Sequence, residues 1–325
     1  MKKNVVGADL GFVQLKGVGK DWDCTCPSLS KRRSEVIMGD LNDSEGYLIT
    51  TEHGGSWNVG SKGSFDFKSE RLASESDLPK LLTVLGLYQE ATGVSTIDLL
   101  VSGLPVEEYK REASKLAFAE KLKGDFNFGF NAVQRLVRVS DSLVLPQSAG
   151  AFFDFVLDDA GEERNTELAS EDLLILDIGG MSTDGCIMEE GAFSQDSFTI
   201  WEGVHEVQKE LRKLISHKFS YVPQPMEVDR ILRTGLLKLG GKQAGVQDLV
   251  QKAIEVRLPT LQDELSLHVP DFRRFSAVIL CGGGAHVYTN YITEFTGVQC
   301  LTMGNAELAN ANGYRKYGLL KLAEG

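Results

Sequence analysis

The chain has 325 residues, of which 42% are hydrophobic and 25% charged, and its formal net charge is −12. This length predicts two domains with substantial buried cores. No apolar run approaches the ~20 residues that span a bilayer, and Lys2 and Lys3 are not followed by the apolar segment of a signal peptide. We therefore expect a cytoplasmic protein with no membrane partner. The negative charge also argues against direct binding to nucleic acid through a broad basic surface.

The five cysteines are odd in number and lie mostly in apolar segments, which favours reduced core thiols over a disulfide framework. Cys24 and Cys26 have the spacing of a metal-site fragment, but no second Cys or His pair at ligand spacing accompanies them. The five histidines are scattered along the chain. We therefore expect no zinc site.

The first predicted element is a β-hairpin over Val5–Val18, with the sequence VVGADLGFVQLKGV. An apolar strand runs into Asp9, Leu10 and Gly11 follow, and the second strand carries Lys16. Glycine has no Cβ to keep a polyanion away from the backbone, and successive N–H groups in such a turn form a concavity that binds anions. A lysine beside this turn can meet phosphate oxygens directly.

Residues 24–75 are rich in Gly, Ser and charged side chains and contain short β-like runs at Glu35–Met38 and Tyr47–Thr51. This composition indicates a small inserted subdomain. Apolar residues at helical spacing then predict a helix over Leu78–Ala91, and Ile97–Ser102 is typical of a buried strand.

Val106–Lys123 is predicted as a single charged amphipathic helix. In the run Phe126–Phe130, phenylalanines alternate with small or polar residues, which predicts a strand whose aromatic side chains enter the core. A further strand leads to Pro146, and Ala149–Leu157 is the predicted helix that joins the two halves of the chain.

The segment Leu173–Met188, LLILDIGGMSTDGCIM, repeats the pattern of the first hairpin. Aligning Asp177 with Asp9, 168 residues earlier, brings Asp184 onto Lys16. Taken alone, either segment could be an ordinary hairpin turn, because Asp followed by glycines is a common turn composition. Two copies half a chain apart instead favour a duplicated protein of two domains, each of which offers a hairpin to a shared cleft.

A third glycine cluster, Gly282–Gly284 followed by Ala285, comes after the apolar run Ala277–Leu280 and before a predicted helix. Backbone at such a place can approach a flat or anionic ligand closely. The predicted helices of the second half are Val204–Phe219, Pro223–Leu267 with a break at Gly240-Gly241, Val287–Phe295 and Glu307–Leu322.

Taken in order, these motifs resemble those of the actin-like ATPases, in a superfamily that also holds the ATPase domain of heat-shock chaperones and the sugar kinases. Within this group the closest likeness is to the bacterial plasmid-segregation actins of the ParM type. Three further stretches carry the likeness: Val101–Pro105, Leu145–Ala151, and Ala309–Tyr314 running on to Tyr317-Gly318. The motifs run from Asp9 to Gly318 and so cover nearly the whole chain.

The resemblance implies an α/β actin-like fold of two duplicated ribonuclease-H-like lobes around a nucleotide cleft, each with a small inserted subdomain. The implied first lobe is 1–150, with its insertion at about 24–75, and the second is 151–306, with its insertion at about 205–275. The C-terminal helix, 307–325, is expected to pack back on the first lobe.

The resemblance also implies a cleft for ATP, or GTP in its place, together with Mg²⁺. Lys16 would contact phosphate, while Asp9 and Asp177 would hold hydrated Mg²⁺. Gln147 would orient the attacking water, so Gln147 and Asp177 are the expected catalytic residues. Plasmid-segregation actins often have Glu in the place of Gln147, and a neutral amide is a poor proton acceptor, so we expect slow hydrolysis. The implied nucleotide-binding residues are Asp9, Leu10, Gly11, Lys16, Gly179, Gly180, Met181, Ser182, Gly282, Gly283, Gly284 and Ala285.

The implied function is that of an ATPase that assembles into filaments of its own copies and moves or positions DNA, in plasmid segregation, through a DNA-binding adaptor protein. One alternative is a filament that serves another cargo, such as phage DNA, an organelle or cell shape. A second alternative is a small-molecule kinase of the same superfamily, in which Asp184 would be the base.

Overall fold

The computed structural model of the protein describes residues 3–33, 46–60 and 77–324, and the expected β-like run Glu35–Met38 lies outside these residues. The described elements up to residue 156 are β1 (Val5–Leu10), β2 (Gln14–Gly19), β3 (Trp22–Pro27), β4 (Ser30–Arg32), β5 (Tyr47–Thr50), β6 (Ser56–Val59), α1 (Asp77–Thr92), β7 (Thr96–Ile97), β8 (Leu99–Leu104), α2 (Val106–Tyr109), α3 (Glu112–Leu122), β9 (Gly124–Phe130), β10 (Val133–Val139), β11 (Ser142–Pro146) and α4 (Ala149–Val156).

The described elements after residue 156 are α5 (Thr166–Ala169), β12 (Leu173–Ile178), β13 (Thr183–Glu189), β14 (Ala192–Phe193), β15 (Phe198–Ile200), α6 (Val204–Phe219), α7 (Pro225–Thr234), β16 (Leu236–Leu239), β17 (Lys242–Gly245), α8 (Gln247–His268), a 3₁₀ turn (Phe272–Arg274), β18 (Ala277–Cys281), α9 (Ala285–Thr296), β19 (Cys300–Thr302) and α10 (Ala309–Glu324).

Two sheets repeat one arrangement, which confirms the expected α/β fold with duplicated halves. In the first sheet, ordered β11-β8-β1-β2-β3, strand β1 forms a hairpin with β2 and lies parallel to β8. In the second sheet, strand β12 likewise forms a hairpin with β13 and lies parallel to β18. The registers also correspond, because Asp9 pairs with Lys16 and Asp177 pairs with Asp184.

A peripheral sheet, ordered β4-β6-β5-β9-β10-β7, lies beside the first sheet. Phe128 and Phe130 are buried in its core, as their alternation predicts, while Phe126 is partly buried. Strand β3 pairs with β2 and therefore belongs to the first sheet, although it overlaps the start of the expected inserted subdomain.

Two predicted helices are interrupted in the structure. The stretch Val106–Lys123 forms two helices, α2 and α3, because Arg111 adopts an extended conformation between them. The stretch Pro223–Leu267 contains the hairpin β16-β17 between α7 and α8. Gly240 and Gly241 form its turn with φ values of 54° and 79°, which two-residue hairpin turns require.

Helix α10 packs across strand β1 and crosses helix α4 at very close range. A Cβ on Gly7 of β1 would lie 2.0 Å from the carbonyl oxygen of Ala311, and a Cβ on Gly313 would lie 1.6 Å from that of Gly150. Glycine at these positions lets the backbones of α10, β1 and α4 touch. This crossing brings the side chains of α10 beneath the hairpins.

None of the described helices is long and apolar enough to cross a membrane.

Candidate functional site

Three polar side chains meet where the first hairpin turns: two belong to the hairpin, and the third follows strand β11. Lys16 Nζ lies 3.1 Å from Asp9 Oδ2, and both residues are less than a tenth exposed. Gln147, just after β11, donates from Nε2 to Asp9 Oδ1 at 3.3 Å. The hydroxyl of Tyr314 on α10 donates to the carbonyl oxygen of Gln147 at 2.7 Å, so a hydrogen bond from α10 holds the backbone at this residue.

Asp177 stands at the equivalent place in the second hairpin. The pKa of its carboxyl is raised from 3.8 to about 6, mainly because the group is buried. The charge of Lys16 and a hydrogen bond from Asn310 lower this pKa, whereas the charge of Asp9 raises it, and the net shift is upward. Burial lowers the pKa of Lys16, but the charges of Asp9 and Asp177 outweigh this effect, so the net shift is upward. Lys16 is therefore a fixed cation that is paired with Asp9 and interacts electrostatically with Asp177.

The turn of the second hairpin rests on the N-terminus of helix α6. The carbonyl oxygens of Gly179 and Gly180 accept hydrogen bonds from the backbone N–H groups of Val204 and His205, at 3.0 and 2.8 Å. A Cβ on Gly180 would lie 2.4 Å from the side chain of Val13 in the first hairpin. The turns of the two hairpins are thus in contact.

The glycine cluster packs directly against the end of β12. Gly282 has a φ of +83°, and a Cβ on it would lie 2.2 Å from Asp177 Oδ1. The N–H of Gly284 donates to the carbonyl oxygen of Ile178 at 2.8 Å. In contrast, a Cβ on Gly283 would meet, among the described residues, only the guanidinium of Arg233, 4.0 Å away. The backbone at Gly283 therefore leaves space for a ligand.

These parts surround one cleft that is open to solvent. Most of the predicted site residues line it: Asp9, Gly11, Lys16, Gln147, Asp177, Gly179, Gly180, Met181, Ser182, Gly282 and Gly283. Three others, Leu10, Gly284 and Ala285, are buried and are not among the described residues that line the cleft. The side chain of Leu10 instead joins the hydrophobic core of the first half.

Sequence reasoning missed a polar group on helices α6 and α7 that also lines the cleft. Asp229 accepts hydrogen bonds from Gln208 Nε2 and Arg233 Nε, both at 3.0 Å. Arg233 Nη1 lies 3.8 Å from Glu307 Oε2, just before α10. The only sequence signal was the spacing of Asp229 and Arg233, which is common on exposed helix faces.

The charges of the cleft suit a polyphosphate and a hydrated divalent cation. Among the described residues there is no cluster of three or more His, Cys, Asp or Glu side chains that could enclose a metal ion. Mg²⁺ keeps several waters and commonly binds through one or two carboxylates plus substrate phosphates. The buried pair Asp9 and Asp177 fits that chemistry, while Lys16 fits a contact with phosphate.

Asp184 pairs across the second hairpin with Asp177 but is not among the described residues that line the cleft. It is buried, and the hydroxyl of Thr199 donates to its Oδ1. This engaged carboxylate differs from Lys16, its counterpart in the first hairpin, which does line the cleft.

Two family models match successive parts of the sequence. The model of the N-terminal domain of actin-like proteins matches residues 7–150, and the C-terminal model of the archaeal actin homologue MreB-like family matches residues 175–294. No curated protein matches the chain.

Several solved structures have the same fold over almost the whole chain. The actin-like protein Alp7A is 14% identical with a TM-score of 0.82, covering 99% of this chain and 98% of that one. The archaeal actin homologue Ta0583 in complex with ADP is 20% identical with a TM-score of 0.78, covering 99% of each chain. A 15-stranded ParM filament from Clostridium botulinum is 21% identical with a TM-score of 0.74, covering 98% of this chain and 99% of that one.

These likenesses, together with the paired hairpins around one cleft, define the fold of the actin-like ATPase superfamily. The two family models between them span most of the sequence. Both models describe actin-like proteins, which confirms the resemblance expected from the motifs.

Proposed function

We propose that the cleft binds ATP with Mg²⁺ and hydrolyses it slowly. The observation that carries this proposal is the meeting of two Asp-Gly hairpins at one cleft, which Asp9, Lys16 and Asp177 line, beside a glycine cluster whose backbone leaves space for a ligand. Phosphoryl transfer requires mainly positioning and neutralisation of charge. The ADP complex of the archaeal actin homologue Ta0583 supports the choice of an adenine nucleotide.

Each proposed role follows from the position of the residue. Lys16 contacts a phosphate oxygen, the turn residues Gly11 and Gly179–Ser182 approach the phosphates with their backbone, and Asp9 and Asp177 hold the waters of Mg²⁺. When bound, Mg²⁺ neutralises negative charge on the phosphates. Gln147 orients the attacking water, and because its amide is a poor proton acceptor the reaction is slow.

We further propose that the protein acts in the cytoplasm as a filament of its own copies, whose assembly depends on the bound nucleotide. The likeness in fold to the ParM filament from Clostridium botulinum and to an Alp12 filament supports this proposal. Head-to-tail contacts that do not close into a ring generate such filaments. Hydrolysis then weakens the contacts and limits the lifetime of the filament.

The proposed cargo is DNA, most specifically a segregating plasmid. Because the chain carries a net charge of −12, binding to the DNA backbone is assigned to a separate basic adaptor protein. The small-molecule kinase is a weaker reading, since Asp184 accepts a hydrogen bond from Thr199 and is not among the described residues that line the cleft.

Titration with a fluorescent ATP analogue in the presence of Mg²⁺ tests the nucleotide site. We expect Lys16→Met to weaken binding by about 10- to 100-fold, because it removes a charge-assisted contact with phosphate. Lys20→Met is the matched control, since Lys20 lies just beyond the end of the same strand β2 with its side chain 63% exposed. Equal affinities of the two variants, or no binding by the wild type, would refute the proposed site.

A further inference from the structure

Asn310 is a buried residue of helix α10 for which neither the motifs nor the cleft lining suggests a role. It is 3% exposed, and it is not among the described residues that line the cleft. Its side chain makes hydrogen bonds in two directions. Nδ2 donates to Asp177 Oδ2 at 2.7 Å, and Oδ1 accepts from the backbone N–H of Ala151 at 3.1 Å.

The chemistry of the two partners fixes the orientation of this amide. A backbone N–H can only donate, so it requires the amide oxygen, whereas an ionised carboxylate can only accept and requires the NH₂ group. Ala151 lies in the first turn of α4, where backbone N–H groups have no acceptor within the helix. Asparagine thus satisfies an orphan N–H and a buried carboxylate at once.

The amide stands at a close contact between α4 and α10. A Cβ on Gly150 would lie 2.5 Å from the carbonyl oxygen of Asn310 itself, so the backbones of the two helices touch there. The Asn310 side chain is therefore anchored where the two helices touch, and its hydrogen bond to Asp177 links this crossing to the cleft.

The Asp177 carboxylate is consequently confined at both oxygens. Asn310 holds Oδ2, and the backbone of Gly282 lies against Oδ1, since a Cβ on Gly282 would be only 2.2 Å from this atom. We propose that Asn310 is a positioning residue that sets the Asp177 carboxylate in the orientation needed to bind the waters of Mg²⁺. This inference rests on the proposed nucleotide site and adds a residue that acts on Mg²⁺ only through Asp177.

The test measures Mg²⁺ dependence of binding separately from nucleotide affinity. A fluorescent ATP analogue is titrated in EDTA and then at increasing Mg²⁺ with the wild type, Asn310→Leu and Asn310→Ser. Leucine keeps the branched shape of asparagine without its hydrogen bonds, and serine is too short to reach both partners. Asn312→Ala is the matched control, because Asn312 is two residues further along the same helix and so faces nearly the opposite way.

We expect both Asn310 variants to bind the analogue in EDTA within about threefold of the wild type. The Mg²⁺ concentration for half-maximal enhancement should rise about tenfold in both, as expected from the loss of a hydrogen bond to a charged group, and Asn312→Ala should match the wild type. An unchanged Mg²⁺ dependence in a folded Asn310 variant would overturn the inference. Failure of both variants to fold, checked by circular dichroism, would also overturn it, because the residue would then be structural.

The failure of the proposed function would look different from the failure of this inference. If the wild type binds no analogue, or binds it with no enhancement by Mg²⁺, the nucleotide site itself is refuted. If the wild type responds to Mg²⁺ and the Asn310 variants respond equally, the nucleotide site stands and only the role of Asn310 is refuted.

Discussion

The buried charge of Asp177 is expected to destabilise the protein when no nucleotide is bound. Burial is the main cause of the rise in its pKa from 3.8 to about 6, and it outweighs the opposing effects of Lys16 and Asn310. The substitution Asp177→Asn removes the charge and keeps the shape, and the new amide oxygen can still accept from Asn310. We therefore expect this variant, which should lose Mg²⁺-dependent binding, to be more stable than the wild type at neutral pH.

The size and pH dependence of this effect follow from linkage. A pKa that rises by roughly two units on folding corresponds to a cost of about 3 kcal/mol once the group is ionised in both states. Because the folded pKa is the higher one, the cost is absent below pH 3.8, grows as the pH rises and is complete above about pH 6. For a chain of this length, the expected gain in Tm at pH 7.5 is about 4–8 °C.

Differential scanning calorimetry of the nucleotide-free proteins between pH 4 and pH 8 measures this difference. Asp196→Asn is the control, because Asp196 is exposed and its substitution should change stability by no more than about 0.5 kcal/mol. The gain for Asp177→Asn should be largest at pH 7 to 8 and vanish near pH 4. An Asp177→Asn variant that is less stable than the wild type at pH 7.5 would refute the claim that desolvation dominates at this carboxylate.

Two further outcomes test the helix crossing and the contact between the hairpins. Gly313→Ala should lower the free energy of unfolding by about 3 kcal/mol, because its Cβ would lie 1.6 Å from a backbone oxygen. Gly304→Ala is the control, since no described residue lies within 4 Å of a Cβ at that position. Equal stabilities of the two variants would contradict the crossing. Trp201 is 63% exposed and its ring centroid lies 6.5 Å from that of Phe12 in the first hairpin. ATP should therefore change tryptophan fluorescence, and a change that persists in Trp201→Phe would show that this pair does not report binding.

The two hairpins and the relation between them could be predicted from the sequence because their signals are local. A strand that ends in Asp, a glycine turn and a second strand lie within a few residues of one another, and the offset between Asp9 and Asp177 also predicts the corresponding registers. The long helices with clear apolar spacing were predictable for the same reason: Val204–Phe219 is found with the expected bounds.

Features that depend on tertiary contacts could not be predicted in this way. The interruption at Arg111 lies within a stretch whose composition also suits a helix. The pair Gly240-Gly241 indicated a break, but nothing local indicated the strands β16 and β17 on either side of it. Asn310 reaches Asp177 across 133 positions of the chain, only because glycines let α10 approach β1 and α4. Arg233 likewise enters the cleft through the packing of α7, and its sequence pattern is that of an ordinary exposed helix face.

The central claim, that nucleotide binding in this cleft drives self-assembly, is tested most directly by sedimentation and right-angle light scattering of the purified protein with Mg²⁺. The comparison is between ATP, ADP and no nucleotide, with Asp177→Ala measured beside the wild type over a wide range of protein concentration. The account predicts that the wild type pellets with ATP, and that Asp177→Ala stays in the supernatant under every condition. A wild type that binds or hydrolyses ATP but remains monomeric at all concentrations would contradict the account and favour a small-molecule kinase.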